Sequence, residues 1–374
     1  MDLSSEIIHA LLPLFMTMTL GLSVATVGVV DGIAEATANI TKVFSGHLSD
    51  RLGKRKPLIA LGYGLAAASK PFFPLASGPI PVLGARFADR VGKGIRGAPR
   101  DAMIADVTAP ETRGRAFGLR QSLDTIGAFA GPLLAIGLMF LLADDIRKVF
   151  WVAFVPAAAA VALVVFALDE PVVHSPPARR RLTYRDVRFL GGAFWAVAAV
   201  GAVFSLGRIS EAFLILRATG AGLPVWLAPL VLVVMNLVYS AGSYPAGVLS
   251  DSHSPSRLLG WGIAAAICSD LVLAFASGLP GVFAGIALWG VHMALTQGVL
   301  SRMVADSAPE HLRGSAFGIL SLVTGLALLI ASVIAGLAWD AWGPRATFGL
   351  EAAFFAASAA GLVLVRRAYS PAAS

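Results

Sequence analysis

The chain of 374 residues has one cysteine, Cys268, so no disulfide can form within it, and that residue reads as a small apolar side chain in a helix. Charge is also scarce: Asp, Glu, Lys and Arg make up 14% of the sequence. No His, Cys, Asp or Glu stand at metal-ligand spacing. There is no phosphate-cradling loop with its lysine and no nucleophile beside a base. A metal centre, a cofactor and ATP hydrolysis within the chain are therefore unsupported, and an enzyme is the least favoured class. What is plentiful is apolar. Hydrophobic residues reach 57% and mean hydropathy is +0.78, against roughly 45–50% apolar in a soluble domain. That excess implies surface facing lipid. A pI near 9.9 would suit nucleic acid, but the basic residues lie in short gaps between apolar runs, so no nucleic-acid partner is expected.

A membrane-crossing helix needs about 20 mostly apolar residues. Twelve candidate spans are found, near 3–21, 24–48, 57–77, 80–105, 114–142, 149–168, 189–217, 224–249, 257–278, 280–304, 314–339 and 346–366. Short gaps such as SGPIP and SGLPG make neighbours antiparallel. Lys and Arg concentrate in alternate gaps: DRLGKRKP, ETRGR, ARRRLTYRDVR and the tail RRAYSPAAS on one side, little beyond Arg147, Lys148 and Arg345 on the other. The first side is expected to be cytoplasmic, with both termini on it, in a bacterial-type inner membrane. Residues 169–188, with two adjacent prolines and an arginine triplet, read as a basic cytoplasmic linker between bundles at 1–168 and 189–374. The first span begins almost at Met1 and includes Asp2, Ser4, Ser5 and Glu6, so it is expected to lack about half a helix at its start.

The halves repeat. Met103-Ile-Ala-Asp106 and Arg113-Gly-Arg-Ala-Phe-Gly118 return as Met303-Val-Ala-Asp306 and Arg313-Gly-Ser-Ala-Phe-Gly318, displaced by 200 residues. Ser45-Gly-His-Leu-Ser-Asp50 returns as Ala246-Gly-Val-Leu-Ser-Asp251, displaced by 201. Two segments sharing nearly one displacement indicate a duplicated six-helix bundle, the architecture of many transporters, whose substrate site lies near the midplane between halves.

On these residues the chain resembles the major facilitator superfamily. Gly46-His-Leu-Ser-Asp50-Arg51-Leu-Gly53-Lys54-Arg55 resembles that family's signature between its second and third helices, with a degraded copy at Gly247 and Asp251. Arg86, Gly92 and Gly94 resemble its fourth-helix motif, whose arginine the family links to proton coupling; Asp89 stands where the motif has glutamine. Gly127-Ala-Phe-Ala-Gly131-Pro132 resembles the fifth-helix motif of the antiporter branch, without the trailing glycine pair. The resemblance spans essentially the whole chain. It implies an all-α membrane protein of twelve helices that works as a secondary transporter by alternating access. It further implies a proton-coupled exporter of a small molecule, a monomer, driven by the proton gradient without a cofactor. Alternatives are a metal-ion or metabolite exporter, and a non-transporting sensor or lipid-handling protein on the same scaffold.

Seven charges occupy residues 88–106: Asp89, Arg90, Lys93, Arg96, Arg100, Asp101 and Asp106. At about 100° per residue, Arg86, Asp89, Arg90, Lys93, Arg96 and Arg100 fall within roughly a third of the helix circumference. Arg86, Asp89 and Arg90 are read as facing a cavity; Arg100 and Asp101 are read as a helix end reaching toward water. On the second span Asp31, Glu35 and Lys42 share one face with Asn39 beside them, and the two acids are expected to meet Arg86 or Arg90. Arg120 and Asp124 are spaced to pair along the fifth span, and the first span adds Glu6 and His9. The alternative to proton coupling is an ion-pair lattice that only holds the bundle together. Asp50 and Arg51 suit a breakable latch at a helix end. The second half is drier. Its cavity candidates are Arg208, Glu211, Asn236, His292 and Gln297, with Asp270 on the ninth span; His292 alone is more often a hydrogen-bonded core residue than a ligand.

Overall fold

The computed structural model describes residues 1–52, 54–109, 112–170, 190–309 and 312–369. Within these, the side chains of residues 47, 50, 113, 114, 251, 301, 305, 313–315 and 365–369 lie outside the description. So does the linker expected at 169–188, apart from its first two residues. The described secondary structure is helical throughout. The first unit contains α1 (Asp2–Leu14) continued by a π-helical stretch (Phe15–Thr19), α2 (Val24–Leu52), α3 (Lys56–Ser69), α4 (Phe72–Leu75), α5 (Pro79–Val107), α6 (Arg113–Leu141) and α7 (Ile146–Ala167). The second contains α8 (Gly192–Leu206), α9 (Ala212–Gly220), most of α10 (Leu230–Ser252), α11 (Pro255–Phe275), α12 (Leu279–Thr296), α13 (Val299–Ser307), α14 (Arg313–Trp342) and α15 (Pro344–Tyr369). The chain divides into Met1–Arg179 with Pro224–Leu232, and Arg180–Leu223 with Val233–Ser374. The short 224–232 segment belongs to the first unit, where Trp226 lies against Phe140 with ring centroids 6.2 Å apart.

Grouped by their breaks, the described helices make twelve segments, as the apolar runs predict. Three spans expected to be continuous are broken. The third is interrupted at Lys70-Pro71, where proline cannot supply the next helical donor. The seventh unwinds over Gly207–Glu211, and the tenth breaks at Gln297-Gly298. Gly298 has φ of +76°, a left-handed conformation that disfavours any side chain with a Cβ. The first span ends as a π-helix after Pro13, and the Thr17 hydroxyl donates to the Pro13 carbonyl at 2.9 Å.

Eight described helical stretches are long and apolar enough to cross a membrane. Side chains on the outward faces agree with a lipid surround: Ile80, Phe140, Leu141, Phe166 and Tyr244 are all at least 73% exposed. A soluble protein rarely leaves so much apolar surface to water. Inside the first unit, Phe15 and Phe73 both meet Phe150 edge-on, at 5.2 and 6.2 Å, and the Arg147 guanidinium lies over the Phe15 ring. In the second, α8, α13 and α14 share a core of Phe194, Val197, Val304, Leu312 and Leu320.

What positions the charged helix α5 is close backbone approach. A Cβ on Gly94 would stand 2.5 Å from the Thr41 Cβ of α2, and one on Gly92 would stand 2.6 Å from the Gly62 carbonyl of α3. With that space open, the Ser45 hydroxyl donates to the Gly94 carbonyl at 2.8 Å. Gly94→Ala is therefore expected to destabilise the protein by about 1–3 kcal/mol through overpacking. Gly64→Ala, in α3 with nothing within 4 Å of the added methyl, should be neutral or stabilising by up to about 1 kcal/mol. Thermal unfolding of both variants in detergent checks the contrast; equal shifts would contradict it.

Candidate functional site

In a low-dielectric interior a full charge must find an opposite one, and α5 carries several. Arg86, Asp89, Arg90 and Arg96 are each no more than 3% exposed. Each is answered from another helix. Arg86 Nη2 is 3.2 Å from Asp31 Oδ1 of α2, with Asp31 itself buried. Arg90 Nη1 is 3.4 Å from Glu35 Oε1, one turn further along α2, and that glutamate side chain is 42% exposed. The pairing of both α2 acids with the α5 arginines is the arrangement that their helical phase predicts.

Asp89 is held by a residue that sequence reasoning missed. Lys70, 1% exposed at the break between α3 and α4, places its Nζ 2.8 Å from Asp89 Oδ1 and donates to the Ser5 hydroxyl of α1 at 2.9 Å. Arg90 Nε lies 3.6 Å from the other Asp89 oxygen. Lys70, Asp89, Arg90 and Glu35 thus form one chain of contacts, with the Arg86–Asp31 pair beside it, and the three cations and three acids leave the cluster formally neutral. Arg96 reaches Asp2 Oδ1 of α1 at 2.9 Å and lies 4.6 Å from the Tyr63 ring centroid. Lys93 is exposed. Glu6 Oε2 and His9 Nδ1 are 3.4 Å apart on α1.

The reading of Arg100 and Asp101 as a helix end reaching toward water is corrected. Both belong to a second cluster in which Arg120 Nη2 meets Asp124 Oδ2 at 2.7 Å, Arg100 meets Asp124 at 3.6 Å, Arg120 meets Asp101 at 3.7 Å and Arg100 meets Asp101 at 3.4 Å. Asp124 therefore pairs between α5 and α6 as well as along α6. The fifth-helix motif glycines hold α6 against α1: a Cβ on Gly131 would stand 2.5 Å from the Glu6 Cβ, and one on Gly127 3.2 Å from the Asp2 Cβ. Pro132 lies within α6 without ending it.

In the loop motif, Gly46 is part of α2, close to Ala98, and Arg51 is exposed at its end. Gly53 and the side chains of Asp50 and Asp251 lie outside the described residues. The basic residue that is engaged is Arg55, 8% exposed, with Nε 3.2 Å from Asp106 Oδ2 of α5 and Nη1 donating to the Ser49 hydroxyl at 2.7 Å. The Arg55 and Lys56 amides donate to the Glu170 carboxylate at 2.6 and 2.8 Å, a charge-assisted cap on the N-terminus of α3.

In the second unit, Arg208 and Glu211 are half-buried on the unwound stretch between α8 and α9, Asn236 is half-buried on α10, and Gln297 is exposed at the tenth-span break. Gln297 lines a recess with Tyr239, Ser243, Gly247 and Ser250. His292 is not a cavity residue. It is fully buried, donates from Nδ1 to the Gly262 carbonyl at 2.8 Å, and is boxed by Phe204, Trp289 and Phe355 with centroids 5.2–5.6 Å away. A lone histidine on an apolar helix settles into such a core.

A twelve-segment helical chain with paired charges on its second and fourth segments has a family counterpart. The sequence profile of the Major Facilitator Superfamily matches residues 1–238 and 221–374. The chain belongs to the Major Facilitator Superfamily. An uncharacterized MFS-type transporter of Methanocaldococcus jannaschii is 31% identical over 354 residues, covering 93% of this chain and 87% of the relative. The class C tetracycline resistance protein of Escherichia coli is 30% identical over 322 residues, 79% of this chain and 78% of the relative. Among solved structures, a point mutant of the nucleoside transporter NupG superposes with a TM-score of 0.81 at 12% identity, over 97% of this chain and 96% of that one. This family member is thus a multi-pass membrane transporter of a small molecule, not an enzyme.

Removing one partner of a buried pair is expected to cost about 3–5 kcal/mol, whereas replacing both by apolar groups is often neutral. Lys70→Met should accordingly lower the unfolding temperature sharply, and Lys70→Met combined with Asp89→Leu should recover most of the loss. Equal melting of the single and double variants would contradict the pairing.

Proposed function

We propose that this Major Facilitator Superfamily member is a proton-driven exporter of a small organic molecule, with Asp31 and Glu35 as the acids that carry the proton. The observation that supports this reading is the Arg90–Glu35 pair, a buried guanidinium joined to a carboxylate whose side chain is 42% open. Next to it stands the closed Arg86–Asp31 pair. A carboxyl in contact with a guanidinium favours its ionised form; moved away from it in a dry site it favours the protonated one. A rearrangement that parts α2 from α5 would therefore load a proton, and their return would release it. Asp124, paired with Arg100 and Arg120, is the reserve carrier.

Export is favoured by the likeness to a tetracycline resistance protein. The proton gradient serves as energy source with no cofactor, and the working unit is a monomer. Bundles 1–168 and 189–374, joined by 169–188, act as the moving halves. The Lys and Arg bias of alternate loops supports an inner-membrane location with both termini cytoplasmic, and the Gly46–Arg55 motif, at the end of α2 and anchored by Arg55 on Asp106, is the gating element.

In proteoliposomes with an imposed pH gradient, screened with organic cations, small acids and metals, the wild type should accumulate its substrate uphill. Asp31→Asn with Glu35→Gln should abolish pH-driven accumulation while retaining substrate exchange. Uphill accumulation by the double variant, with unchanged pH dependence, would show that these acids do not carry the proton.

A further inference from the structure

The second unit contains two acids that the network above does not use. Asp270 on α11 is 0% exposed and Glu351 on α15 is 2% exposed. All four of their carboxyl oxygens are buried without a hydrogen-bond partner. The two helices pack directly on each other, and Asp270 is close enough for its charge to bear on Glu351. Depth agrees as well. Asp270 lies five residues before the end of α11 and Glu351 seven after the start of α15, which at about 1.5 Å per residue places both some ~8–10 Å from the same ends of two antiparallel helices.

Among the described residues, the polar groups on the surrounding elements are engaged elsewhere or exposed. The Ser269 hydroxyl donates to the Gly285 carbonyl at 2.8 Å and the Thr347 hydroxyl to the Ala335 carbonyl at 3.2 Å. Arg217 of α9 is occupied by the Leu273 and Ala276 carbonyls at the end of α11. His292 of α12 is held on Gly262. Arg345 and Asp340, at the facing ends of α15 and α14, are exposed, as is Asp306 of α13, and Arg302 donates to the Ser250 carbonyl. α8 has no titratable residue, and Arg208 and Glu211 lie on the unwound stretch beyond its end. Two carboxylates in this setting would repel each other and lack any counter-ion, an arrangement that the packing of α11 on α15 could not hold. A hard metal ion asks for about six oxygen ligands, and no third His, Cys, Asp or Glu groups with them among the described residues. The sequence repeat sharpens the point: at a displacement of 200, Ser69-Lys70 becomes Ser269-Asp270, so the position of a buried cation in the first unit is taken by an acid in the second.

We propose that Asp270 and Glu351 form a proton-binding carboxyl pair in the second unit, separate from the arginine–carboxylate network of the first, whose proton occupancy governs the packing of α11 against α15. The pair holds its protons while the two helices are in contact. Loss of a proton leaves an unpaired anion that requires the contact to open to water.

The test is infrared difference spectroscopy of the purified full-length protein in lipid, comparing wild type with Asp270→Asn/Glu351→Gln. The wild type should show a protonated-carboxyl carbonyl band, shifted in heavy water, that the double variant lacks, and modification of Asp270 or Glu351 by dicyclohexylcarbodiimide should fall as pH rises. If the variant folds poorly, carbodiimide modification of the wild type, located by mass spectrometry, decides alone. Identical acid-carbonyl bands in both proteins, or modification absent from both residues, would overturn the proposal. Loss of the band on adding sodium at constant pH would assign the pair to an alkali cation instead and equally overturn it. Neither readout involves transport, so the result is independent of whether Asp31 and Glu35 drive export.

Discussion

The first unit is organised by the need to neutralise α5 where lipid and packed helices leave little water. Its buried guanidiniums at Arg86, Arg90 and Arg96 cannot be relaxed individually, because each is matched by an acid on another element: Asp31 and Glu35 on α2, Asp2 on α1. The matching fixes helix rotation as well as charge. Turning α5 by one residue would carry its arginines away from α2 and expose Asp89 to a face without Lys70. Gly92 and Gly94 complete this constraint, since only bare backbone lets α2 and α3 come near enough for short side chains to meet the arginines.

The same network separates holding from switching. Lys70–Asp89, whose members both sit below about a twentieth of full exposure, cannot part without leaving two dry charges, and the equally buried Arg86–Asp31 pair can part only as its acid takes up a proton. Glu35 differs because its side chain is 42% open while its arginine remains buried. A lattice that served only to bind helices together would gain nothing from leaving one of its acids half open. That difference in exposure, more than the number of charges, is why the site reads as a carrier of protons.

Much of this was legible in the sequence because helical phase is a strong signal. Arg86, Asp89 and Arg90 against Asp31 and Glu35 follow from 3.6-residue periodicity on two spans. Lys70 was not legible: beside Pro71 at the end of an apolar run it has the pattern of a residue reaching for the membrane surface, and only the fold turns it inward onto Asp89. Glu351 was missed for a related reason, as a single acid in the last span with no partner on its own helix. The breaks at Gly207–Glu211 and Gln297-Gly298 carried glycine as their only sign, and long apolar periodicity on both sides outweighed it.

The segments that do not reach the apolarity and length of a self-sufficient membrane span are the first, second, fourth and seventh. The first three are the charged helices of the first unit, and the last is the broken α8–α9 pair carrying Arg208 and Glu211. Such helices are costly to place in lipid alone and depend on neighbours like α6 and α7, which turn Phe140, Leu141 and Phe166 outward. Duplication supplied both units with the same scaffold, and divergence then set their polar content apart. Where the first unit buries Lys70 and Asp89, the corresponding positions of the second hold Asp270 and Trp289. An ion pair that locks three helices in one unit is thus replaced in the other by an acid that only a proton can make comfortable in the same kind of interior.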